Sequence, residues 1–186
     1  MRQVGLSVVA LAVSLLGCSH ARTATSSESS SAGANLVYAD PALGFEITRP
    51  RGDAWKFTAG DASGISGAVA VPVIVAHRAT GAQVVVQVAP AVATPLQFAS
   101  RLTSGLRSRP GFTTTEVEPI PLADGAVGFA FTMGDQVAGR VAVVSGGSGR
   151  VYVLLATWPQ DAPPAVISGV DEIVRSLRMN PTVTGT

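Results

Sequence analysis

Residues 127–158 read VGFAFTMGDQVAGRVAVVSGGSGRVYVLLATW. Three runs rich in β-branched and aromatic residues are separated by Gly134-Asp135 and by Gly146-Gly147-Ser148-Gly149. Such runs read as strands, and connections this short join antiparallel neighbours. The stretch predicts a meander with strands at Val127–Met133, Val137–Ser145 and Val151–Trp158. In its last strand both parities are apolar, Val153 and Leu155 on one side and Tyr152, Leu154 and Trp158 on the other. A strand apolar on both faces needs cover on both faces.

Working outward, AVAVPVIVAHR (68–78) and AQVVVQVAP (82–90) pair as a hairpin around Ala79-Thr80-Gly81. Pro72 cannot donate to a ladder, so it marks an edge or a bulge. Thr94-Pro95-Leu96-Gln97 places a Thr cap, Pro at the first helical position and Gln at the third. It opens a helix over 94–109 with Leu96, Ala99, Leu102 and Leu106 on one stripe, stopped by Pro110-Gly111. Phe112–Glu118 reads as a further strand, and GFEITRP (44–50) alternates with Phe45 and Ile47 on one face. A last helix, PPAVISGVDEIVRSLR (163–178), aligns Val166, Ile167, Val170, Ile173, Val174 and Leu177, with Asp171 and Arg175 one turn apart. The expected fold is α+β, one antiparallel sheet covered by helices on both faces, an α/β/α sandwich over residues 36–180. Residues 181–186 are expected to be a disordered tail. The stretch from Thr48 to Ala68 carries no clear pattern.

The first residues, MRQVGLSVVALAVSLLGCSH, place Arg2 before an uncharged apolar run from Val4 to Leu16. At 1.5 Å per residue that run makes about 20 Å of helix, short of the ~30 Å hydrocarbon core. It reads as a signal-peptide segment over 1–17. Leu15-Leu16-Gly17-Cys18 resembles the bacterial lipobox. The resemblance implies cleavage between Gly17 and Cys18 and a diacylglyceryl group on the Cys18 thiol. Cys18 is the one cysteine in 186 residues, so no disulfide within the chain competes for it. Two or more acyl chains make a lasting anchor where one holds only reversibly. Ordinary secretion, with cleavage after Ala21, is the alternative. Ser19–Asn35, SHARTATSSESSSAGAN, lacks large apolar residues and reads as a flexible tether. Seventeen such residues reach about 20–25 Å. Ser19 after the cysteine implies delivery to the periplasmic face of the outer membrane in a Gram-negative cell. In a cell with one membrane the anchor implies its outer face.

Composition sets further bounds. The chain is 47% hydrophobic and 13% charged, with 13 basic and 12 acidic residues and a net charge of +1. That supports one packed domain, and provides no field for nucleic acid.

YADPALGFEITRPRGDAWKF (38–57) resembles the opening of the PsbP-like superfamily, with Tyr38, Asp40, Gly44, Phe45, Pro50 and Trp55 at its marker positions. The tail from Tyr152, ending in Ser176-Leu177-Arg178, is similar to that family's last strand and helix. The chain is identified on this likeness as a bacterial lipoprotein with a PsbP-like, LpqN-type domain. The resemblance implies an antiparallel sheet between helices and a binding or scaffolding character, with no shared catalytic site.

No catalytic constellation is legible. His77 stands without a His or Cys partner, so no zinc site is expected, and no DxDxDG calcium loop occurs. Glu116 and Glu118 form an i,i+2 pair read as a solvated strand face. Gly146–Gly149 lacks the Gly-Lys of a phosphate loop, and Arg51-Gly52-Asp53 is a tripeptide of a length that arises by chance. No metal or cofactor is expected. Tyr38, Trp55 and Trp158 are candidate binding residues on the condition that they are exposed, since aromatic anchors dominate interfaces. The expectation is a membrane-anchored envelope lipoprotein that acts without catalysis. It is held by Cys18 and meets an envelope protein through its soluble domain. A carrier of a small or lipidic ligand and an enzyme with an unrecognised site are the alternatives.

Overall fold

The computed structural model describes residues 36–60, 69–147 and 149–179. The lipobox with Gly17 and Cys18, the tether and the tail beyond Met179 lie outside them. The elements are β1 (Val37–Asp40), β2 (Phe45–Thr48), β3 (Trp55–Ala59), β4 (Ala70–His77), β5 (Gln83–Pro90), α1 (Pro95–Arg107), β6 (Phe112–Thr114), β7 (Glu118–Pro119), β8 (Val127–Met133), β9 (Val137–Gly146), β10 (Arg150–Pro159), α2 (Pro164–Arg175) and β11 (Arg178–Met179).

The predicted meander is present as β8-β9-β10, with Val127 opposite Val143 and Val153 opposite both Val143 and Gln87. It belongs to an eight-stranded antiparallel sheet ordered β3-β4-β5-β10-β9-β8-β6, with β7 alongside β8. The hairpin β4–β5 turns at Gly81, whose φ of 74° is the left-handed conformation that suits glycine. The ladder between these strands shifts register between Ala70 and Val73. Pro72 therefore marks a bulge, and its carbonyl accepts from Gly60 N at 3.3 Å.

Alternate residues of β9 and β10 go to two different clusters, as the period of two requires. Ala142, Val144, Tyr152, Leu154, Ala156 and Trp158 pack with Val166, Val170 and Ile173 of α2 and with Phe45 and Ile47 of β2. Val141, Val143, Val151 and Val153 pack with Ala99 and Leu106 of α1 and with Phe129 and Phe131 of β8. The result is a mixed α/β architecture of antiparallel sheets and two helices.

The expectation of one sheet is corrected by a second, three-stranded sheet ordered β1-β2-β11. Its outer strands have four and two residues, too short to show a period in the sequence. β3 was missed in the unpatterned stretch, being five residues with only Trp55 buried. The expected strand 112–118 is broken. Ala130 N donates to the Thr115 hydroxyl at 2.9 Å, taking the donor the ladder would use for the Thr115 carbonyl. The helix cap is as expected, with the reciprocal Thr94 and Gln97 bonds both formed. The α1 stripe is not, because Leu96 is 54% exposed while Ala99, Thr103 and Leu106 are buried. Leu96 lies in the first turn, and the cover that the apolar residues share begins one turn later.

Candidate interaction surface

The chain enters the domain through β1 and reverses at Asp40–Gly44. Asp40 Oδ1 accepts from Leu43 N at 2.9 Å, the Asx arrangement that suits Asp at a turn. The Tyr152 hydroxyl donates to Leu43 O at 2.6 Å and Arg150 Nη1 donates to Ala42 O at 2.8 Å. Tyr38, half-buried, lies 6.0 Å from the Phe45 and Phe57 rings, and its hydroxyl donates to Pro72 O at 3.4 Å. Burial, with the negative charge of Asp40 as the lesser cause, raises the Tyr38 pKa. Burial likewise raises that of Tyr152, against a smaller lowering from Arg150.

These two shifts give a pH dependence with a definite sign. A folded pKa above the unfolded one means that the folded state holds its proton more tightly. The stabilisation is whole below about pH 10, where free tyrosine keeps its proton, and falls as pH rises through the folded values. Urea unfolding from pH 7 to 11 should show stability falling above pH 10, with a shallower fall in Tyr152→Phe. An identical slope in that variant would remove Tyr152 from the effect.

The two tryptophans are packed, not presented. Trp55 is 5% exposed, edge-on to His77 with ring centroids 5.0 Å apart. Gly169 of α2 makes room for it, since a Cβ there would lie 2.8 Å from Trp55 Nε1. Trp158 is 7% exposed, and the Arg140 guanidinium lies 5.5 Å from its ring centroid. Arg140 pairs with Asp171, which also meets Arg175 at 3.7 Å, the spacing expected one turn apart. The exposure on which Trp55 and Trp158 were candidates is thus not met, and Tyr38 presents only part of its ring.

The other candidates separate in space. His77 Nδ1 is bonded to Thr80 Oγ1 at 3.0 Å across the β4–β5 turn. Glu116 pairs with Arg107 at 2.7 Å, and Glu118 lies exposed on β7. Arg49, buried at the β2 end, donates to the carbonyls of Pro50 and Gly52 and so shapes the Arg51-Gly52-Asp53 corner. Among the described residues no three of His, Cys, Asp and Glu come close enough to hold a metal ion. None of their helices is long and apolar enough to cross a membrane. An open cleft of about 590 Å³ is lined by Asp135, Gln136, Gln160 and Asp161 at the β8–β9 and β10–α2 turns.

Sequence reasoning missed a different surface, at the opposite end of β10. Arg150 ties the β9–β10 connection to the Asp40–Gly44 turn, and Ala91 N donates to Gly149 O at 2.8 Å, adding the β5–α1 loop. Val92 of that loop is 82% exposed and Leu96 54% exposed. Pro41, Ala42, Pro90 and Ala91 are exposed beside them. Segments 41–45, 88–100 and 141–149 carry no ionisable side chain, so the three turns make a tip poor in charge, flanked by Asp40 and Arg150.

No protein-family model matches the chain, and no curated protein matches it. Among solved structures it is similar to the solution structure of cyanobacterial PsbP (CyanoP) from Synechocystis sp. PCC 6803. The TM-score is 0.52 and the identity 16%, over 77% of this chain and 91% of that one. The order of elements and the antiparallel sheets described above thus form a PsbP-like fold.

Proposed function

We propose that this chain is an exported lipoprotein of the LpqN type. In this reading Cys18 carries the lipid, and an α/β/α PsbP-like domain serves as a non-catalytic binding or scaffolding module for an envelope protein. The observation that carries the reading is the sequence Leu15-Leu16-Gly17-Cys18, with the one thiol of the chain directly after an apolar run. The second half is supported by the likeness of residues 38–57 and 152–178 to the PsbP-like superfamily together with the PsbP-like fold. The membrane is then the outer one, periplasmic face, in a Gram-negative cell, or the outer face of a single membrane.

Cys18→Ser tests the anchor. Labelled fatty acid should appear in the native chain and be absent from the variant, and the variant should leave the membrane fraction for the soluble one. Retention of the variant on membranes with undiminished label would sink the reading.

A further inference from the structure

The apolar tip has an occupant that the rest of the chain points to. We propose that it rests on the surface of the bilayer that holds the lipid anchor, so that the domain docks by its loops in one orientation. The inference rests on the anchor reading above.

Three observations carry it. Val92 and Leu96 stand 82% and 54% exposed on a loop that carries no ionisable side chain of its own. The two charges flanking the tip are already engaged, Arg150 on Ala42 O and Asp40 on Leu43 N, so seating the two aliphatic side chains among acyl chains leaves those charges at the headgroup level. The four residues of β1 span roughly 13 Å, so the tether joins the domain about that far from the turn that forms part of the tip. From Ala91 to Thr115 there is no acidic residue, and Arg101, exposed on α1, is the first charge after the tip. An anionic headgroup layer suits that arrangement. Two aliphatic side chains are too little to hold a protein on a membrane alone. A tether of seventeen residues makes the second contact intramolecular, at an effective concentration near the millimolar range. The anchor holds the chain and the tip sets its orientation. Asp135, at the other end of the sheet, then faces away, about 30 Å along the ten residues of β10.

The test uses the full-length acylated chain in vesicles of phosphatidylethanolamine and phosphatidylglycerol. With Cys18 acylated, Val92→Cys or Asp135→Cys supplies the reactive thiol for an environment-sensitive fluorophore, and bromine-labelled acyl chains serve as quencher. The expected result is a blue-shifted label at 92, quenched about twofold or more over the label at 135. Equal, water-like emission at both positions overturns the proposal. So does a label at 92 that stays wet on vesicles but becomes protected in the native envelope, since a protein then covers the tip. A chain that does not associate with vesicles at all refutes the anchor itself, and the proposal with it.

Discussion

Phe45→Ala is expected to destabilise the domain by about 3–5 kcal/mol, the range for removing a fully buried aromatic side chain. Phe45 is 0% exposed. It sits in β2 opposite Asp40 of β1 and Met179 of β11, at the centre of the small sheet. Its ring lies 6.0 Å from that of Tyr38 and 5.9 Å from that of Tyr152, the latter edge-on. It therefore joins the small sheet to the face of the large one, and truncation removes packing from both. The surroundings cannot collapse easily, because Tyr152 is held by its hydroxyl bond to Leu43 O at 2.6 Å. For a domain stabilised by roughly 5–15 kcal/mol, that loss is a large share. Urea unfolding followed by tryptophan fluorescence measures it, with Phe45→Leu as the milder companion. A loss below about 1 kcal/mol, the size of ordinary surface or near-neutral changes, would mean that β2 does not pack as described.

Gly139→Val should cost about 3 kcal/mol, the upper end of what overpacking does. A Cβ at residue 139 would lie 2.4 Å from Phe131 Cζ and 2.6 Å from the carbonyl oxygen of Ala156. Gly139 pairs with Phe131 across the β8–β9 ladder and with Thr157 across β9–β10, in the middle of the meander. The aromatic ring covers the glycine, and it has limited room to swing because Phe112 lies 6.2 Å away. The Ala156 oxygen belongs to backbone and can move only with the strand. Adding Phe131→Leu should return part of the loss, since it removes one of the two obstructions. Calorimetric unfolding of the single and double variants checks both statements. An unchanged midpoint for Gly139→Val would contradict the register of the sheet.

The two variants also show where the sequence was readable. The meander was legible because long β-branched runs alternate and Gly-rich connections are too short for anything but antiparallel neighbours. The cap at Thr94 and the buried stripe of α2 were legible because they depend on neighbours within one or two turns. The small sheet was legible only in β2, where Phe45 and Ile47 alternate; β11 joins β2 from more than a hundred residues away and its two residues have no period. Thr115 was read into a strand because nothing local reveals that its hydroxyl takes the Ala130 donor.

The candidate residues divide on the same line. An aromatic residue says nothing in sequence about which way it faces. Trp158 lies beneath Arg140 and Trp55 against Gly169, both contacts between distant segments. The one local hint was Gly169 itself, since a glycine inside a helix costs about 1 kcal/mol relative to alanine and often has a packing reason. Leu96 misled in the opposite direction. Its helical spacing with Ala99 and Leu106 marked it as core, but only the end of the covered sheet decides that the first turn of α1 stands in solvent. The exposed tip comes from that difference.

The most direct test of the binding-module reading is capture of the full-length chain from its own envelope after mild crosslinking, with Cys18→Ser carried alongside. The account predicts one protein recovered in near-equal amount with the native chain and lost with the variant. Recovery of the chain alone from intact membranes, with no crosslinked protein, would contradict it.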